Sequence, residues 1–190
     1  MKKISIGTSD FKQLRDEDLY YIDKSMLIKE MLEDSNRVVL LPRPRRFGKT
    51  LNMTMLRYFL EKPLAEKKED FPENDYLFKG LAIEQEEEMM KHQGKYPVIY
   101  LTFKDIKSDN FKESYENIRE LLANEYQRHS YILERKVLSP EEKIAYKKIL
   151  SREDNKILYM NSVKNLTKYL ERYYKEKVVV IIYEYDTPVH

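Results

Sequence analysis

Three apolar, largely β-branched runs limit what this chain can fold into: Val38-Val39-Leu40-Leu41, Val98-Ile99-Tyr100-Leu101-Thr102-Phe103 and Val178-Val179-Val180-Ile181-Ile182. A strand with one wet face alternates apolar with polar residues, whereas one covered on both faces reads as continuous apolar sequence. These runs do not alternate, so they predict strands of a parallel sheet. Parallel neighbours need long crossovers, and helical patterns fill the intervals.

Asp23 is placed to cap a helix from Lys24 to Glu33, with Met26, Leu27, Met31 and Leu32 on its apolar face. Thr50 to Glu61 gives a second helix with Leu51, Met55, Phe59 and Leu60 on one stripe. Phe111, Tyr115, Ile118, Leu122 and Tyr126 recur at helical spacing through a long third. Ser139-Pro140-Glu141-Glu142 joins a capping box to a proline in the first turn, and Ser162 to Tyr174 supplies a last helix. The acidic run Glu84 to Glu88 reads as a solvated helix face. Alternating strands and helices predict an α/β fold with right-handed crossovers. Sheets average about five or six strands, and the chain stops after the third run, so the sheet is expected to be incomplete at its carboxyl end.

The 190 residues suit one domain, 1–190. Lysine and arginine number 35 against 33 acidic residues, so no whole-chain field gathers nucleic acid or anionic lipid. Cysteine is absent, which excludes disulfides and thiol nucleophiles. Met1-Lys2-Lys3 is not followed by the apolar stretch of a signal peptide, and no window supplies the roughly 20 apolar residues of a membrane span. A cytoplasmic protein is expected. Three scattered histidines, His92, His129 and His190, lack metal-ligand spacing.

The sharpest motif is Arg43-Pro44-Arg45-Arg46-Phe47-Gly48-Lys49-Thr50, set between the first apolar run and the second helix. It supplies the last three residues of the Walker A pattern G-x-x-x-x-G-K-[ST] but has Arg43 at the first glycine. Gly48 lets the backbone approach phosphates, Lys49 can reach the β- and γ-phosphates, and the Thr50 hydroxyl can ligate Mg²⁺. A bare G-K-[ST] arises by chance in roughly one chain in ten of this length. The strand pattern before it and the helix after it raise nucleotide binding above chance. The rival reading, an arginine cluster for nucleic acid, lacks an aromatic stacking ladder or basic stripe.

Several ordered segments resemble the AAA-ATPase-like domain family of bacterial and archaeal proteins: Ile6-Gly7-Thr8-Ser9-Asp10-Phe11, Tyr20-Tyr21-Ile22-Asp23-Lys24-Ser25, the loop from Arg43 through Leu51 to Asn52, Leu77-Phe78-Lys79-Gly80-Leu81, Tyr96 to Asp105, and Glu184-Tyr185-Asp186-Thr187-Pro188. The resemblance spans nearly the whole chain, and a missing first Walker glycine is typical of that family. It implies a P-loop NTPase fold, three-layer α/β/α with a mostly parallel sheet, and ATP with Mg²⁺ as cofactors. The implied nucleotide contacts are Arg43, Pro44, Arg45, Arg46, Phe47, Gly48, Lys49, Thr50 and Leu51, with Tyr21 and Ile22 against adenine. For Tyr20, Tyr21 and Ile22, plain packing of the first helix is the equal alternative. Family members often continue into a PD-(D/E)XK nuclease-like domain, which these residues do not contain.

A Walker B strand ends in a metal-supporting aspartate followed by a glutamate that orients water. The family pattern there is Asp-Glu-Tyr-Asp, and this chain reads Tyr183-Glu184-Tyr185-Asp186. Glu184 aligns with the catalytic glutamate, while Tyr183 stands where the aspartate belongs and carries no carboxylate. Asp186, three residues on, points to the opposite face of an extended chain. The expectation is an ATP-binding module whose hydrolysis is impaired, using Lys49 and Glu184 catalytically and Thr50 for metal. A non-hydrolysing switch and a gene fragment without function are the alternatives. A protein partner or self-association is left open, nucleic acid is not indicated by charge, and no membrane is expected.

Overall fold

Asp10 has the short carboxylate that a helix start needs, and its side chain accepts a hydrogen bond from Gln13 N (2.9 Å) to cap α1 (Phe11–Asp16). This capped helix belongs to the first of two units, Met1–Tyr96; the second is Pro97–His190. The computed structural model describes residues 3, 7–42, 47–63, 74–104, 106 and 110–184.

In the first unit, α2 (Leu27–Glu33) and α3 (Lys49–Leu60) pack with α1 and two 3-10 turns, Asn74–Phe78 and Ala82–Gln85; α4 (Glu87–Met90) follows. The core is aromatic: Phe78 stacks tilted on Phe11 (5.3 Å between ring centres) and meets Phe59 edge-on (5.0 Å), all three fully buried. Thr54 stitches α1 to α3, its hydroxyl accepting from Phe11 N and donating to Leu51 O, both at 3.0 Å. A parallel bridge, Glu61 to Tyr96, closes the unit.

In the second unit, β1 (Val98–Thr102) and β2 (Val179–Tyr183) pair in parallel, Val98 opposite Val179 through Thr102 opposite Tyr183. The crossover between them holds α5 (Phe111–Arg128), α6 (Pro140–Leu150), α7 (Lys156–Met160) and α8 (Ser162–Tyr174). The α6 capping box forms as expected, Ser139 and Glu142 each accepting the other's backbone N–H at 3.2 and 2.9 Å. Buried phenols find carbonyl partners: Tyr126 donates to Ser162 O (2.8 Å) and Tyr146 to Tyr126 O (2.7 Å).

α5 is tied to β1 by a buried charged cluster. The Glu125 carboxylate accepts from Tyr100 N (2.9 Å) and from Arg128 Nε (2.9 Å), and His129 Nε2 lies 3.4 Å away. Burial pushes the Glu125 carboxyl up, but hydrogen bonds from His129 and Arg128 outweigh it and hold it down at about 2.

The chain is therefore α/β with a two-stranded parallel sheet among the described residues. Five expectations are corrected. Val38 to Leu41 forms no strand: nothing among the described residues supplies it with a ladder, and Val38 and Leu40 are 86% and 65% exposed. Apolar sequence gives strand propensity without supplying a partner. β2 alternates despite its unbroken apolar run, burying Ile181 and Tyr183 while Val180 and Ile182 face outward. α2 begins at Leu27, three residues later than expected, because Asp23 turns its oxygens to Ser25 N (2.8 Å) and Ala82 N (2.7 Å) rather than to the helix. In α5, Phe111 lies exposed at the end of the stripe it was expected to share. The run Glu84 to Glu88 is split between a 3-10 turn and α4, with Glu86 paired to Lys29 at 2.8 Å.

Candidate functional site

The only glycine near the Walker-like motif does what a side chain would resist. Gly48 sits at φ +72°, ψ 25°, in the left-handed region immediately before α3, where an L side chain costs about 1–2 kcal/mol. From that turn α3 begins with no side-chain cap and no acidic residue in its first turn. Its first intrahelical bond runs from Asn52 N to Gly48 O (3.0 Å). The amides ahead of Asn52 form the positive end of a 12-residue helix, where anions are favoured. Lys49, Thr50 and Leu51 follow at once, each half-buried, and Phe47 is exposed. Arg43, Pro44, Arg45 and Arg46 lie outside the described residues.

Tyr21 reaches α3 through its phenol, which donates to Met55 Sδ (3.2 Å) and accepts from Lys24 N (3.2 Å); its ring meets Phe11 edge-on at 5.5 Å. Burial pushes this phenol above its usual range. Tyr21 thus has a packing role, while Tyr20 and Ile22 are exposed.

The second candidate element is the end of β2, in the other unit. Tyr183 is 5% exposed and donates its phenolic proton to Glu184 Oε1 at 2.7 Å. Glu184 has φ +52°, a left-handed conformation that few non-glycine residues adopt. Its carboxylate is already a hydrogen-bond acceptor for its neighbour. Asp186 lies outside the described residues. Gly48, Lys49, Thr50 and Leu51 are thus brought together at one helix start in the first unit, and Glu184 belongs to the second.

Among the described residues no cluster of three or more His, Asp, Glu or Cys side chains can hold a metal, leaving the Thr50 hydroxyl as the candidate ligand at α3. No described helix is long and apolar enough to cross a membrane. Sequence reasoning passed over two groups beside Gly48, Lys24 and Asn52. Both stand in the family-like segments of the sequence, but neither was given a role there.

One curated relative, described as "Uncharacterized protein in vnfD 5'region" from Azotobacter chroococcum mcd 1, is 34% identical over 103 residues. That match takes in 54% of this chain and 17% of the relative, so the chain spans a small part of that protein's length. No solved structure gives a significant match. The profile of the family described as Predicted AAA-ATPase matches residues 5–190, an almost end-to-end agreement, and the chain belongs to that AAA-ATPase-like family.

Proposed function

We propose that the chain is an ATP-binding module of the P-loop kind, holding the triphosphate at the start of α3. The observation that carries this reading is the left-handed Gly48 followed by Lys49-Thr50 on an uncapped 12-residue helix. The donor set fits the ligand: helix-start amides and an ammonium suit phosphate oxygens, and a hydroxyl suits Mg²⁺. Lys49 balances charge on the β- and γ-phosphates, and Thr50 offers its hydroxyl to the metal. Bound Mg²⁺ supplies charge neutralisation between the phosphates. The P-loop three-layer arrangement of the family belongs to this reading, as do Arg43, Pro44, Arg45, Arg46, Phe47 and Leu51 as loop contacts and Ile22 beside the base. Glu184 is the candidate for orienting water.

Hydrolysis is impaired on this reading. Tyr183 brings no carboxylate to the metal-supporting position, and its phenol is hydrogen-bonded to the Glu184 carboxylate. That bond favours a second reading, a nucleotide-dependent switch that binds without turning over. ATP-dependent thermal stabilisation without phosphate release supports the switch; phosphate release that Glu184→Gln abolishes supports the enzyme. Tyr183→Asp is expected to increase Mg²⁺-dependent ATP binding. ATP turnover equal to that of an intact family member and indifferent to Glu184→Gln sinks the assignment of Glu184.

A further inference from the structure

Lys24 has a position that its sequence context did not advertise. A Cβ built on Gly48 would lie 3.9 Å from the Lys24 ammonium, among the described residues the only group within 4 Å of that point outside the glycine's own neighbourhood. The lysine is exposed, and its ammonium has no carboxylate partner among the described residues. Asp23, the adjacent acid, directs its two oxygens to Ser25 N and Ala82 N instead.

The backbone that carries Lys24 is fixed from several sides. Its N–H donates to the Tyr21 phenol, which in turn donates to Met55 in α3, and its carbonyl accepts from Leu27 N (3.0 Å). Ser25 Oγ accepts from Ile83 N at 3.1 Å. The side chain therefore starts from an anchored point and ends beside the left-handed glycine.

A second observation at the same place points to a ligand. Asn52 is 2% exposed, and among the described residues neither its carboxamide nitrogen nor its oxygen has a hydrogen-bond partner. Buried polar groups are nearly always satisfied, so this amide calls for a partner, and a ligand at the start of α3 is one that can supply it. Asn52 lies one turn after Gly48 on the same face of α3, and helical side chains lean toward the N-terminus. Its backbone N–H closes that turn on Gly48 O at 3.0 Å.

We infer that Lys24 is a second phosphate-binding cation, its ammonium contacting the nucleotide's phosphate chain where Gly48 and the start of α3 receive it. This inference rests on the ATP-binding reading above. The ammonium adds a charge-assisted hydrogen bond that Lys49 alone does not supply. Gly48 is then needed twice, for its left-handed turn and for the room that a Cβ would take from the Lys24–phosphate contact.

The test is calorimetric titration of MgATP into the full chain, Lys24→Met, Lys24→Arg and Lys49→Ala, each at low and at moderate salt. Lys24→Met is expected to bind about tenfold more weakly, as for loss of one hydrogen bond to a charged group. The deficit shrinks as salt rises, because salt screens an exposed charge. Lys24→Arg restores most of the affinity. A purely structural lesion would weaken binding equally at both salt concentrations, and that result overturns the inference. So does unaltered binding by Lys24→Met in a chain where Lys49→Ala has lost it, which leaves the ATP reading intact. If the unaltered chain binds no MgATP, the ATP reading itself falls and takes this inference with it.

Discussion

Gly48 and Glu184, the two positions to which the proposed reading assigns binding and hydrolysis, differ in how their surroundings are partnered. Around Gly48, among the described residues, α3 has no side-chain cap, the Lys24 ammonium has no carboxylate partner and the Asn52 amide has no hydrogen bond. At Glu184 the carboxylate already accepts the Tyr183 phenol at 2.7 Å. A group without a partner gains when a ligand arrives, whereas the Glu184 carboxylate already commits part of its accepting capacity to Tyr183. On the proposed reading, binding and hydrolysis are therefore separable, and each can be attacked without touching the other.

The second unit extends this pattern of internal pairing into its core, and the largest expected effect lies there. Glu125→Gln removes the charge that Arg128 and His129 face, and a broken buried pair costs about 3 kcal/mol or more. Urea denaturation measures the loss. The pH dependence gives an independent check. The folded pKa of about 2 lies below the ordinary 4.5, so the stabilisation is complete above 4.5 and is lost as pH falls toward 2. The unaltered chain and Glu125→Gln should converge in acid. If their stability difference is as large at pH 2.5 as at pH 7, charge is not what the cluster contributes.

Next in size is Lys49→Ala, which tests the other side of the contrast. On the proposed reading it lowers MgATP affinity by roughly ten- to hundredfold, the worth of a hydrogen bond to a charged group. Calorimetry reads it directly, and an unchanged affinity would remove phosphate binding from the start of α3.

The sequence made local signals legible and non-local ones obscure. The α6 capping box acts within one turn and forms as its residues predict; the apolar periodicity of α8 and α3 is also local, placing α8 at its expected span and α3 within one residue of its own. β1 was readable because its largely apolar run found a partner in β2. Val38 to Leu41 has the same composition but no ladder among the described residues, and no local pattern distinguishes the two. Asp23 misled for a related reason: a capping residue beside a helical stripe will take a better-placed amide, here Ala82 N, 59 residues away. At the site, Gly48, Lys49 and Thr50 were visible as neighbours in sequence. Lys24 was not, because its approach to Gly48 depends on how the Tyr21 phenol joins Lys24 to α3.

Two helix starts in the first unit give the smaller tests. Gly48→Ala forces an L side chain into the left-handed turn at about 1–2 kcal/mol. The contact it makes is ordinary, 3.9 Å to Lys24 Nζ, so the stability cost is conformational rather than a clash. On the proposed reading MgATP binding falls as well, since the new methyl group occupies the approach to phosphate.

Asp10→Ala should cost about 1 kcal/mol, the usual worth of an N-cap. It deletes the cap on Gln13 N and the acceptor for the Tyr58 phenol, 3.0 Å away, but leaves Gly48, Lys24 and Asn52 in place. Thermal melts with and without MgATP separate the two variants. Asp10→Ala lowers both melting temperatures and preserves the gap between them, because a start already satisfied by its own side chain has nothing to offer a ligand. Gly48→Ala lowers both and narrows the gap. A gap that narrows equally in the two would mean that nucleotide stabilisation follows the general stability of the first unit, and the distinction between a self-capped helix and a ligand-capped one would fail.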